Sequence, residues 1–227
     1  MSSDGTTAEQ AEMETRTVRD AIVEAALPHV AFDGWTMKTA AMAAEDAGYP
    51  RETADRVFPG GVGDVLRHWS DLSDRTMLAE MAGRDLSGMG LRDRVAAALR
   101  VRIEVNAAQK EAVRRALSHL ALPQNAPVAI GNTLRTVDAI WYAAGDTATD
   151  FSYYSKRALL TPVYASTVLY WLDDNSEEFA DTWAFIGRRL DDIMRIPRLS
   201  GGLKRLFNPL SWLSGRRGND WEPRHPA

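Results

Sequence analysis

The stretch Thr136–Arg157, TVDAIWYAAGDTATDFSYYSKR, joins two strongly apolar helical segments through a polar hinge, Gly145-Asp146-Thr147-Ala148-Thr149-Asp150. Trp141, Tyr142, Phe151, Tyr153 and Tyr154 flank the hinge on both sides. The segment before it, from Val128 to Ala144, is apolar at helical spacing. Asp150 stands at the N-cap of the next helix, which carries Leu159, Leu160, Val163, Tyr164, Val168, Leu169 and Trp171. A helix that is apolar around most of its circumference belongs in the middle of a body rather than on its surface. Pro162 within it removes one backbone bond and predicts a kink. A polar hinge between two such helices makes a helical hairpin, and no segment shows the two-residue alternation of a strand. The predicted fold is all-α.

Upstream, residues 1–13 are polar and acidic and read as a disordered leader. From Glu14, apolar residues recur at three/four spacing through Val18, Ala21, Ile22, Ala25 and Ala26, and Pro28 and Asp33-Gly34 close that helix. Thr36 is placed to cap an Ala-rich helix stopped by Gly48, and Pro50 suits the first position of a short helix ending near Phe58. After the turn at Gly60-Gly61, Asp64 to Ala82 forms a long amphipathic helix. Three short helices followed by a long one resemble the head of TetR-type regulators. Residues 14–58 therefore read as a helix-turn-helix-like head and 59–195 as a helical body. Asn175-Ser176-Glu177-Glu178 reads as a capping box opening the last body helix. DNA binding has little support. Residues 36–75 hold five basic groups against seven acidic ones, whereas a duplex-binding surface draws its affinity from cations facing phosphates.

The chain has no cysteine, which excludes disulfides, thiolate metal sites and cysteine nucleophiles. Its four histidines lie in separate segments without a second ligand at i+3 or i+4, so no metal site is expected. There is no G-x-S-x-G elbow and no P-loop, and the paired acids Asp173-Asp174 and Asp191-Asp192 have no complementary base. The expectation is a protein that is not an enzyme and uses no cofactor. A pocket between helices, lined by Trp141, Tyr153, Tyr164 and Trp171, has the character to hold an isoprenoid or acyl chain.

The C-terminal residues differ in kind. From Arg195 onward seven basic side chains oppose two acidic ones, a net of +5, while the residues before them net −9. Residues 196–227 place Leu203, Leu206, Phe207, Leu210 and Leu213 along one helical face, with Trp212 suited to the headgroup boundary and Lys204, Arg205, Arg216 and Arg217 flanking. Pro197 and Gly201-Gly202 detach this segment from the body. A basic, aromatic-bearing amphipathic helix outside the core describes an interfacial binder of anionic membrane. No run approaches the ~20 apolar residues of a membrane span, and the N-terminus lacks secretory or transit character. These features predict a bacterial cytoplasmic protein, peripheral on the inner face of the plasma membrane.

Several motifs together resemble one family. Pro123-Gln124-Asn125-Ala126-Pro127 is followed by Asp138, Trp141, Ala144-Gly145-Asp146, Asp150-Phe151, Tyr153-Tyr154 and Arg157, and then by Asp181-Thr182-Trp183 with Phe185. Their order and spacing, with Gly34-Trp35 and the stretch to Phe58, are similar to the ubiquinone-biosynthesis Coq-nine family over roughly residues 15–195. Members often carry His at the place of Gln124 and Trp at that of Tyr153. The resemblance implies a TetR-like fold without DNA regulation, an isoprenoid pocket for a ubiquinone precursor, and a membrane-seeking C-terminal helix. It further implies partnership with the di-iron demethoxyubiquinone hydroxylase through Asp138, Ile140, Asp150, Tyr153, Tyr154 and Arg157. The alternative is a TetR-type transcriptional regulator with an apolar ligand, and such folds commonly form homodimers.

Overall fold

The structure is a computed structural model that describes residues 3–146 and 151–199. Among the described residues every regular element is helical. α1 (Ser3–Asp33), α2 (Met37–Asp46) and α3 (Thr53–Val57) form the head. α4 (Val62–Ala82), α5 (Leu91–Glu104), α6 (Lys110–Leu120), α7 (Ala126–Ala143), α8 (Phe151–Asp173) and α9 (Ala180–Leu199) form the body.

The residues expected to be a disordered leader instead extend α1 back to Ser3. Residues 8–17 there are all exposed. Ala8, Glu9, Gln10, Ala11, Glu12 and Met13 are strong helix formers, and propensity extends a helix that is anchored further along. α1 likewise runs on through Pro28 to Asp33, where Gly34 takes a positive φ of 73°. Thr36 caps α2 as its sequence position indicates, accepting from the Thr39 backbone N–H at 3.0 Å. α3 is shorter than expected and lacks the Pro50 start.

The head's core joins Ile22, Val23, Ala26 and Val30 of α1 to Ala43, Ala44, Ala54 and Phe58. The same core takes in Val65, Leu66 and Trp69 of α4 and Ala112 and Ala116 of α6, so head and body share one apolar layer. Trp35 fastens this joint: its indole packs on Trp69 with centroids 4.8 Å apart, and its N–H donates to the Ala112 carbonyl at 3.0 Å. A second core, with Met77, Leu99, Val137, Ile140, Trp141, Leu160, Ile186 and Leu190, holds α4, α5, α7, α8 and α9 together. α8 passes through Pro162 as one helix, packed between α7 and α9.

Asp174 starts α9, in place of the expected capping box. Its buried carboxylate accepts from Ser176 N (2.8 Å), Ser176 Oγ (2.6 Å), Thr182 N (2.9 Å) and Thr182 Oγ1 (2.5 Å), and Ser176 Oγ in turn accepts from Asp181 N. A 3-10 turn over Glu177–Phe179 intervenes, with Glu178 and Phe179 at positive φ, so Glu178 stands outside the helical register that a capping box requires. Burial pushes the Asp174 pKa up, but these four donors outweigh it and hold it at about 2.

Candidate functional site

A cavity of about 570 Å³ opens inside the body, walled by α4, α5, α6, α7 and α8. That volume lies within the range of small-molecule sites. Leu66, Trp69, Ile103, Val113, Leu117 and Val168 make it apolar, because each belongs to the inward stripe of its own amphipathic helix. Four lining residues, Ser118, Ala121, Ala165 and Leu169, are exposed and mark the mouth. Ser73, Arg102, Asn106, Asn132 and Thr136 are buried and polar, and form the floor.

The floor is built on Asp74, which is 3% exposed. One of its oxygens accepts from Arg102 Nε at 2.7 Å and from Thr136 Oγ1 at 2.8 Å. The other lies 3.0 Å from Thr136 Oγ1 and 3.5 Å from Arg135 Nε. Burial works against charge on Arg102, but the Asp74 carboxylate hydrogen-bonded to it keeps the guanidinium protonated. Burial raises the Tyr164 hydroxyl above its ordinary range, which keeps it a neutral O–H next to Thr136. Ser73 Oγ lies 3.2 Å from Asn106 Oδ1, and Asn132 donates to the Leu66 carbonyl at 3.4 Å. Buried charge of this kind persists only when paired and hydrogen-bonded.

At the far end of α7, Gly145 (φ 81°) ends the helix in a Schellman arrangement, with Gly145 N donating to Tyr142 O at 2.9 Å and Asp146 N to Trp141 O at 3.0 Å. Asp146, its side chain 5% exposed, takes Lys156 at 2.6 Å and lies 3.7 Å from Arg157. Arg157 also binds Asp138 across the hairpin at 2.6 Å. Charge pairing thus ties α8 to α7, while Tyr142 and Tyr154 project outward, 74% and 71% exposed.

Of the residues expected to line a pocket, Tyr164 and Trp171 do line this cavity. Trp141 does not: it packs in the second core under the Lys156 ammonium, because its α7 phase follows Val137 and Ile140. Tyr153 lies on α8, but its side chain is outside the described residues, as is Asp150. Of the expected partner surface, Asp138, Tyr154 and Arg157 share the α7–α8 junction. Ile140 is fully buried on the inward stripe of α7 and cannot meet a partner. The expected membrane-binding residues, Leu203 to Arg217, lie outside the described residues. Asp74, Thr136 and Arg102 were not foreseen as a site. An acid and a base separated by 28 positions leave no local pattern, although an arginine on an apolar stripe is itself a signal of a buried partner. Among the described residues no group of three or more His, Asp and Glu could hold a metal ion.

Comparison with known proteins places these features in context. The family described as COQ9 matches residues 126–197, which span the whole α7–α8 hairpin and most of α9. The chain is 32% identical over 193 residues to the mitochondrial ubiquinone biosynthesis protein COQ9 of Drosophila melanogaster, covering 83% of this chain and 58% of that protein. Against its Homo sapiens counterpart it is 32% identical over 185 residues, covering 77% and 57%. The chain thus spans rather more than half the length of the curated relatives it matches. These relatives are mitochondrial proteins, which overturns the expectation of a bacterial cytoplasmic location. That expectation rested on the lack of a membrane span and of secretory or transit character, and such absences do not fix a compartment. Among solved structures, a TetR transcriptional regulator from Nitrosomonas europaea superposes with a TM-score of 0.62 at 21% identity, covering 76% of this chain and 95% of that one. The fold is TetR-like.

Proposed function

Because this chain belongs to the COQ9 family, we propose that it serves ubiquinone biosynthesis as a non-catalytic accessory that holds an isoprenoid quinone precursor. The observation that carries this reading is the apolar, mouthed cavity of about 570 Å³ in the body. A polyprenyl quinone is nearly insoluble, so an enzyme that acts on it gains from a carrier that shields its apolar surface. The α7–α8 junction, with Asp138, Tyr154 and Arg157, is the surface on which the demethoxyubiquinone hydroxylase docks. The basic amphipathic segment 196–227 holds the molecule at an anionic membrane surface.

Regulation of transcription fits less well. α3 has five residues, and the exposed side chains at this end of the head include Glu52 and Asp55 beside Arg51 and Arg56. Such a face offers little net attraction to a phosphate backbone.

The test is lipid analysis of the natively purified protein by mass spectrometry, followed by exchange of the bound lipid for added quinone precursor. The expected result is a stoichiometric isoprenoid quinone or another apolar lipid that the precursor displaces. Protein that carries no lipid and takes up no precursor overturns the reading.

A further inference from the structure

We propose that Arg102 is the headgroup anchor of the cavity: its terminal guanidinium nitrogens receive the acceptor oxygens of an uncharged polar head, while the apolar chain leaves through the mouth. This rests on the reading of the cavity as a lipid site and adds the orientation and the class of head.

Three observations carry it. The first is donor accounting. Arg102 Nε is used on Asp74, and among the described residues no acceptor meets Nη1 or Nη2. Neither nitrogen counts among the buried atoms sealed off without a partner, so both open onto the space that Arg102 lines. Unpaired N–H groups of a buried guanidinium are costly, and a ligand acceptor relieves that cost.

The second is placement. Five polar lining residues, Ser73, Arg102, Asn106, Asn132 and Thr136, are buried, whereas three of the four exposed lining residues, Ala121, Ala165 and Leu169, are apolar and the fourth is Ser118. A ligand with one polar end matches this gradient only with its head inward.

The third is charge. Asp74 already compensates Arg102, and its second oxygen is shared by Thr136 and Arg135. A carboxylate or phosphate on Arg102 sets a second anion close to the Asp74 carboxylate in a desolvated site, where like charges repel strongly. Carbonyl, methoxy or phenol oxygens make the same hydrogen bonds without that penalty. Tyr164 contributes a hydroxyl on the same wall, beside Thr136.

The experiment compares three probes by titration calorimetry: a benzoquinone bearing a short isoprenoid chain, the hydrocarbon isoprenoid of the same length, and the corresponding isoprenoid carboxylic acid. The protein is the full chain, as wild type and as Arg102→Lys. Lysine keeps the charge opposite Asp74 but loses the planar fork. Expected are a wild-type preference for the quinone over both other probes, and a loss of about tenfold for the quinone alone in Arg102→Lys. A second variant, Asp74→Asn with Arg102→Met, removes the ion pair as a unit, so that no buried charge is stranded. It also loses the quinone preference while still binding the hydrocarbon. Equal binding of quinone and hydrocarbon by the wild type, tightest binding of the acid, or an unchanged quinone affinity in both variants overturns the anchor and leaves the lipid reading standing. If the wild type binds none of the three, both fall.

Discussion

At the scale of single residues, the two acids that matter most are Asp74 and Asp174, and each is held by donors from elsewhere in the chain. Asp174 has a folded pKa of about 2 against an ordinary 3.8. A depressed carboxylate adds stability above its unfolded pKa and loses it as pH falls through the folded one, so its contribution disappears between about pH 4 and pH 2. Asp174→Asn is therefore expected to cost about 1–2 kcal/mol at neutral pH. It should also flatten the acid limb of stability in that window. Urea unfolding at pH 7 and pH 3 measures both, and an acid limb as steep as the wild type's rules out this role. Neither acid was legible in the sequence, for a physical reason. Asp174 reaches Thr182 across a turn containing two residues of positive φ, which no propensity rule foresees. Asp74 finds Arg102 on another helix. Thr36 was legible because its cap spans only three residues.

At the scale of elements, the α7–α8 hairpin that dominates the sequence is held by charge pairs as well as by packing. The Schellman end of α7, the Lys156–Asp146 pair and the Arg157–Asp138 pair all fix the angle at which α8 departs. The apolar periodicity of both helices made their existence plain, but their phase relative to the partner surface was not. Ile140, assigned outward by resemblance, falls inward with Val137 and Ala144. Tyr154 stands outward at 71% exposure. On the proposed function, Tyr154→Ala is expected to weaken binding of the hydroxylase at least tenfold while changing stability by about 0.5 kcal/mol or less, as for surface positions generally. Surface plasmon resonance against the hydroxylase, with a thermal melt of each variant, checks this. Unaltered affinity moves the docking surface off this junction. α1 teaches the converse lesson: composition pointed to disorder before Glu14, and helix propensity carries the chain there as helix, with residues 8–13 exposed.

At the scale of the whole molecule, a TetR-like head has been welded to the body through Trp35, Trp69 and α6. On the proposed function, the charge division of the chain, −9 before Arg195 and +5 from Arg195 onward, directs membrane attraction to the final segment. Deleting residues 200–227 is expected to abolish co-sedimentation with vesicles containing anionic lipid while leaving helicity and the melting temperature of the body unchanged. A truncated protein that still floats with those vesicles places the membrane contact elsewhere.

The cavity also bears on the protein's own persistence. A chamber of about 570 Å³ with apolar walls has to be filled by something. Without cargo it holds solvent against hydrocarbon surface, and every cargo molecule that enters shifts the folding equilibrium by mass action. On the proposed function, an occupied carrier outlasts a vacant one in a cell that clears unfolded chains, and the abundance of the protein becomes a gauge of how much precursor there is to carry.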